Sequence, residues 1–371
     1  MRRLARITLW ELSLPLAAPV SWTVGGSGQE VPCIVALFED GDGRRGASEI
    51  LCRPEWNGVT PGLLARAVSD MARPRLHDAD GEDADAALTA LAPIRGAMAL
   101  TALCDNAWRD MVAPAPAPLA PVRVADLLTR APAGAMAEAA LAARDGFGIT
   151  AFKVKLGQGL STDTQVLHGL RDALGDGAEI SGDANGAYGL GDLPELLALA
   201  ADTGLSFLED PVPLAPDAAL DAALRGAAVP VLADKAVTGT ELLTAFRERG
   251  VTQVSAKPTR LGRGIAGRIA AQVHGAGGRI CNGTYSESAL GAAGQIAFAQ
   301  GLPPGLAQPH EIAFHRGLAA QIAELPVIAD GLAAPICGRL ADRLDMTALT
   351  RLARARHDLG PARTAARKIP H

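Results

Sequence analysis

Apolar and polar residues alternate along the first stretch of the chain, where Ile7, Leu9, Glu11 and Ser13 interleave with Thr8, Trp10, Leu12 and Leu14. That period of two predicts a β-strand. Glu11 interrupts the apolar run behind Arg2, Arg3 and Arg6, so a folded strand is expected there rather than a secretory leader. A second apolar run at 31–38 leads into Asp40-Gly41-Asp42-Gly43, a turn sequence that predicts a hairpin. Helical patterns cover 61–72 and 84–111, until the alternating alanines and prolines of 113–118 break any helix.

From about residue 121 to 310 the pattern changes to strands alternating with helices. Strands are expected at 122–125, 149–155, 178–183, 205–209, 229–234, 253–257 and 279–283, with a weak eighth near 305–309. Asp192 with Glu195, and Thr238 with Glu241, have capping-box spacing at helix starts. Seven or eight such units in succession predict parallel βαβ connections closed into a barrel. No GxGxxG follows a strand, and Gly157-Gln158-Gly159 reads as a turn rather than a phosphate cradle. The tail from about 325 reads as helical and basic, with Arg351, Arg354, Arg356, Arg363, Arg367 and Lys368 on a solvated surface or packed on the N-terminal unit. Three parts are therefore expected: an α+β unit over 1–118, a barrel over 119–325 and a C-terminal segment over 326–371.

Composition narrows the class without naming it. The 371 residues are 49% hydrophobic and 20% charged, ordinary for a globular enzyme, and no run of 18 apolar residues supports a membrane span. A net charge of −5 gives no footprint for nucleic acid. Five scattered cysteines without CxxC spacing argue against a zinc site or a disulfide framework and for a reducing, cytoplasmic setting.

The chemistry lies in acids and bases that recur once per unit. Lys153 and Lys155 share one face of a strand, and Asp183, Glu209, Asp234 and Lys257 follow Lys155 at intervals of 28, 26, 25 and 23 residues. Each follows an apolar strand, so in a parallel barrel they converge at the C-terminal face. Three carboxylates gathered there need a hard cation, Mg²⁺ by preference with Mn²⁺ as a substitute. Mutual repulsion and desolvation are expected to depress the lysine pKa values, as a general base requires. Lys257, four units beyond Lys155, faces it across the barrel. Glu287 is expected to balance a lysine, with a role as acid second. Trp22, in the glycine-rich stretch 21–28, is a candidate substrate contact, as are Arg53 and Trp56 on a second loop. A Schiff-base aldolase built on Lys155 or Lys257 is a remote alternative, which leaves the carboxylates unexplained.

Together, Lys153-Val154-Lys155, Asp183-Ala184-Asn185, Glu209-Asp210-Pro211, Asp234, Lys257-Pro258-Thr259-Arg260-Leu261-Gly262, Gly283-Thr284-Tyr285-Ser286-Glu287 and the segment Ala102-Leu103-Cys104-Asp105-Asn106-Ala107-Trp108-Arg109-Asp110 resemble the enolase superfamily, in its muconate lactonizing enzyme subgroup. The resemblance implies a modified TIM barrel, (β/α)7β, with an α+β N-terminal capping domain completed by the C-terminal segment. It further implies abstraction of the proton α to a carboxylate through a metal-stabilised enediolate. Asp183, Glu209 and Asp234 would bind Mg²⁺, Lys155 and Lys257 would form the acid/base pair, Lys153 would assist, and Asn185, Glu287 and Trp22 would stand behind them or touch substrate. The reaction class expected is racemisation or epimerisation of an amino-acid derivative, with cycloisomerisation or dehydration as the alternative. The partners expected are a small-molecule carboxylate and further copies of the chain. Lys235, where the subgroup commonly has glutamate, and Arg263, in place of a second glycine, are expected to add positive charge at the mouth. Tyr285-Ser286 replaces the usual Met-Leu.

Overall fold

The computed structural model describes residues 3–22, 27–112, 120–224, 226–303 and 305–360. The Ala-Pro stretch at 113–118, residues 23–26 of the glycine-rich loop, and Arg2, Arg363, Arg367 and Lys368 lie outside the described residues.

The N-terminal alternation becomes a long strand, β1 (Leu4–Ser21), paired antiparallel with β2 (Ser27–Asp40), which turns through residues 41–44 into β3 (Arg45–Leu51). After the short α1 (Pro54–Asn57), which buries no residue, α2 (Pro61–Ala67), α3 (Arg73–Leu76), α4 (Ala86–Leu91) and α5 (Met98–Val112) pack behind this sheet. The helix expected over 84–111 is thus two helices. Pro93 and Gly96 stand in the turn between them, where proline lacks the N–H that a continuous helix needs. Trp108, Phe38, Leu9, Ile34 and Ile50 close the core between sheet and helices.

The barrel strands follow β4 (Val122–Arg123): β5 (Ala125–Leu128), β6 (Ala151–Lys155), β7 (Glu179–Asp183), β8 (Leu208–Glu209), β9 (Val231–Ala233), β10 (Gln253–Ser255) and β11 (Arg279–Cys281). From β5 to β11 they form one parallel sheet in sequence order. The eighth position is held by single bridges, Ile280 to Ala307 and Val124 to His310, which close the ring. The strand expected over 122–125 is split, since β4 leaves the barrel to pair with β13 of the hairpin β12 (Ile328–Ala329) and β13 (Leu332–Ala333). Outside the strands lie α6 (Ala133–Phe147), α7 (Leu160–Leu174), α8 (Leu193–Asp202), α9 (Ala218–Leu224), α10 (Leu243–Glu248), α11 (Pro258–Leu261), α12 (Arg263–Gly275) and α13 (Ala289–Gln300).

Neither capping box forms. Asp192 stands at the N-cap of α8 with its carboxylate turned back to the Gly189 amide, and α10 starts at Leu243, beyond Thr238. Gly157-Gln158-Gly159 is a turn, and the amides of Gly157 and Gln158 already donate to the Asp163 carboxylate.

The tail corrects the helical expectation. After one short helix, α14 (Met346–Leu352), the strand β14 (Ala353–Leu359) pairs with β1, giving the N-terminal sheet the order β14-β1-β2-β3. On β14 the residues alternate strictly between partly buried and exposed, and Arg354 and Arg356 take the exposed set. No described helix is long and apolar enough to cross a membrane.

The Asp105 to Asp110 segment of α5 locks the cap to the barrel. Asn106 donates to Pro258 O (2.9 Å) and accepts from the Arg263 amide (2.8 Å), while Asp105 accepts from the Gly264 amide (2.8 Å). Asp110 accepts from the amides of Ala47, Leu340 and Ala341. Gly46 is required here, because a Cβ would stand 2.2 Å from Ala107 O. On the other side, Glu49 of β3 caps α13, accepting from Ser288 N (2.9 Å), Ser288 Oγ (2.5 Å) and Gly291 N (2.9 Å).

Burial outweighs those hydrogen bonds and lifts the Glu49 pKa from 4.5 to about 7. A carboxyl whose pKa is higher folded than unfolded keeps its proton where the unfolded chain has lost it, so stability falls as pH rises between those values. Relative to Glu49→Gln, the wild type is expected to lose up to about 3 kcal/mol across that window. Denaturant titrations at pH 5 and pH 8 measure this; an unchanged difference between the two proteins would show that Glu49 is not the titrating group.

Candidate active site

Five neighbouring strands, β6 to β10, end in or lead directly into Lys155, Asp183, Glu209, Asp234 and Lys257. Register pairs Lys155 with Asp183 and Asp183 with Glu209; Glu209 then pairs with Leu232 and Leu232 with Gln253, so Asp234 and Lys257 stand two and four residues further along their strands. Two lysines thus flank three acids in strand order, and Lys153 lies below them on β6. All six side chains are buried.

Each acid meets an ammonium group. Lys155 donates to Asp183 and, at 3.2 Å, to Asn185 Oδ1. Lys153 donates to Glu209 and lies 3.5 Å from Asp183. Lys257 donates to Asp234 at 2.6 Å and lies 3.8 Å from Glu209. Arg260 pairs with Asp234 at 2.9 Å. The strand ends are held by strained residues: Asn185, Asp210 and Ser286 adopt positive φ, and Asp210 accepts from the Asp234 and Lys235 amides.

For Lys153 and Lys257 the expected depression of the pKa is reversed. Burial favours neutral Lys257, but attraction to Asp234 and Glu209 is stronger and raises its pKa. The same contest raises Lys153, with Glu209 first and Glu311 second. Burial opposes ionisation of Asp183 and Asp234 too, yet Lys155 and Lys153 hold Asp183 below the ordinary carboxylate range, and Arg260 and Lys257 do so for Asp234. Glu209 goes the other way: burial raises it, Lys153 lowers it, and Asp183 with Asp234 bring it to about 8. The lysines therefore act as counter-ions that partly cancel the repulsion among the acids, a part that their spacing alone does not reveal.

The three acids suit a hard cation by donor type. Glu209 Oε1 is buried without a hydrogen-bond partner, and the crowding that lifts Glu209 is the condition a dication relieves. As the side chains stand, however, no three His, Cys, Asp or Glu groups among the described residues draw close enough to hold a metal, because ammonium groups lie between them. An ion held by these acids would take the place of the Lys155 and Lys257 ammonium groups at Asp183 and Asp234, while Lys153 also has Glu311 as a partner.

Other expectations resolve individually. Glu287 does not balance a lysine: its carboxylate accepts from Thr259 Oγ1 (2.6 Å), Thr284 Oγ1 (2.6 Å) and Tyr285 N (2.5 Å). That task falls for Lys153 to Glu311, 2.6 Å away, which sequence reasoning misses. The signal is present, since Glu311 follows Glu287 by 24 residues, one further unit, but Pro309 interrupts the weak eighth strand. Lys235 reaches the mouth, donating to Asn185 O at 2.7 Å. Arg263 does not, since the charges acting on it are those of Asp110, Asp105 and Arg109 at the cap junction.

A cavity of about 710 Å³ opens over the lysines, lined by Lys155, Asn185, Asp234, Lys235 and Lys257 on the barrel side. Trp22 packs edge-on to Trp56 (5.2 Å) and against Phe314 (5.5 Å), and Trp56 meets Tyr285 (5.6 Å), so both tryptophans stand in the cavity wall. Arg53 lies over Trp56 at 5.2 Å.

The sequence matches the family model described as "Enolase C-terminal domain-like" over residues 135–336, more than half the chain. No curated protein matches it significantly. Among solved structures, muconate lactonizing enzyme from Mucobacterium Smegmatis complexed with muconolactone has a TM-score of 0.87 at 21% identity, covering 95% of this chain and 100% of that one. N-succinyl Arg/Lys racemase from Bacillus cereus gives 0.87 at 17%, covering 96% and 100%. Dipeptide epimerase from Cytophaga hutchinsonii, complexed with Mg and the dipeptide D-Ala-L-Val, gives 0.85 at 17%, again covering 96% and 100%. At these identities the likeness is one of fold.

Proposed function

The chain belongs to the Enolase C-terminal domain-like family, and from that premise we propose that it is an isomerase-type enzyme that removes and returns the proton α to a carboxylate. The observation that carries this reading is the strand order Lys155–Asp183–Glu209–Asp234–Lys257, with one base on each side of three acids. With an α-carbon between them, the lysine that has shed its own proton, for Lys257 against the pull of Asp234 and Glu209, takes the substrate's proton from one face, the electron pair spreads into the carboxylate, and the opposite ammonium returns a proton to the other face. Lys153, held by Glu311, keeps a fixed positive charge below. Asp183, Glu209 and Asp234 would hold Mg²⁺, the ion with which the dipeptide epimerase is complexed. A bound Mg²⁺ supplies positive charge where the carboxylate oxygens become more negative.

Bases on both faces favour racemisation or epimerisation of an amino-acid derivative, because inversion needs a proton partner on each side. The muconate lactonizing enzymes among the neighbours support cycloisomerisation as a second reading. The family match favours this reading over the Schiff-base alternative, which leaves the three carboxylates beside the lysines without a role. Incubating N-acyl amino acids, proline derivatives, dipeptides and muconates in deuterated solvent with Mg²⁺ separates the readings. Deuterium at the α-carbon with unchanged connectivity is expected; a product of altered connectivity would favour the second reading, and no reaction at all would contradict both.

Metal use has its own readout. Mg²⁺ at about 100 times its dissociation constant is expected to stabilise the wild type by about 2.7 kcal/mol and Glu209→Gln by much less. Equal shifts in melting temperature would place the ion elsewhere.

A further inference from the structure

We propose that the substrate bears a bulky hydrocarbon arm next to its carboxylate, and that the cap holds this arm between α2 and the first turn of α5. The inference rests on the reading of Lys155 and Lys257 as acid and base. The cavity has two unlike sides. Toward the barrel it is lined by Lys155, Asn185, Asp234, Lys235, Lys257 and Arg260, every one polar. Toward the cap the lining is mostly apolar: Val59, Leu63, Leu64, Ala67, Met98 and Leu100 lie along α2 and the start of α5, and Glu55 and Asn57 of α1 are the polar side chains beside them. The carboxylate belongs at the first side, so whatever extends from it meets the second.

Size and polarity then choose the arm. At roughly 30 Å³ for a water-sized group, 710 Å³ accommodates about two dozen non-hydrogen atoms. A six-carbon diacid, with about ten, would leave more than half of that space unfilled. A polar arm laid between α2 and α5 would lose its hydrogen bonds to water and find no partner on Leu63, Leu64, Ala67, Met98 or Leu100. A hydrocarbon arm removes that wall from water, including Leu63, which is 55% exposed.

The test is a calorimetric titration of N-acetyl-, N-butyryl-, N-hexanoyl- and N-octanoyl-alanine with Mg²⁺ present. Affinity is expected to rise about three- to fourfold per added methylene until the lobe is filled. Leu63→Asp, on an exposed position, and Met98→Glu, an acid placed at a helix N-terminus, are expected to return the octanoyl compound to the acetyl level. Flat affinity along the series, or length dependence that survives both variants, overturns the proposal. Deuterium exchange on the same compounds keeps the two claims apart. Exchange without length-dependent binding removes the arm and leaves the proton chemistry; length-dependent binding without exchange keeps the lobe and removes the role given to the lysines.

Discussion

Lys155→Ala and Lys257→Ala are each expected to lower racemisation by at least about 10²–10⁴-fold, because inversion needs a proton acceptor on one face and a donor on the other. The loss belongs to the chemical step. Asp183 keeps Lys153 at 3.5 Å in the first variant, and Asp234 keeps Arg260 at 2.9 Å in the second, so neither acid is left without a cation. The expected pattern is a melting temperature near the wild-type value, with turnover gone and substrate affinity retained. Activity within about tenfold of wild type in either variant would remove that lysine from the acid/base pair.

Lys153→Met is expected to act on stability first. Its ammonium lies among Glu209, Glu311 and Asp183, and all four groups are out of solvent. Removing one partner of a buried ion pair costs about 3–5 kcal/mol, since the charges left behind have neither water nor counter-ion. Chemical denaturation measures the loss. If Asp183 and Glu209 also bind Mg²⁺, the ion should restore more stability to Lys153→Met than it adds to the wild type. A variant as stable as wild type without Mg²⁺ would mean that these acids are protonated in the folded protein.

Much of this is legible in the sequence, because strand ends in a barrel carry one residue type each at a regular interval. The spacing from Lys155 to Lys257 locates five of the six groups of the buried acid and lysine cluster, and the pair at 153 and 155 follows from the period of two in a strand. Periodicity serves less well where an element is short or held by distant partners. β14 is made by pairing with β1 some 350 residues away, which no local window contains. Glu311 lies on a strand reduced to single bridges and interrupted by Pro309. The lysine pKa directions escape for a different reason: sequence shows which charges share a site, but distance decides whether attraction or desolvation prevails. Arg263 is misplaced because its direction depends on Asp105 and Asp110 across the cap junction.

The measurement that tests the central claim most directly is α-proton exchange followed separately on the two enantiomers of one amino-acid derivative in deuterated solvent with Mg²⁺. The wild type should wash deuterium into both. Lys155→Ala and Lys257→Ala should each lose exchange of one enantiomer, and opposite ones, since the remaining lysine still reaches its own face. Exchange lost for the same enantiomer in both variants, or retained for both, would contradict two opposed bases.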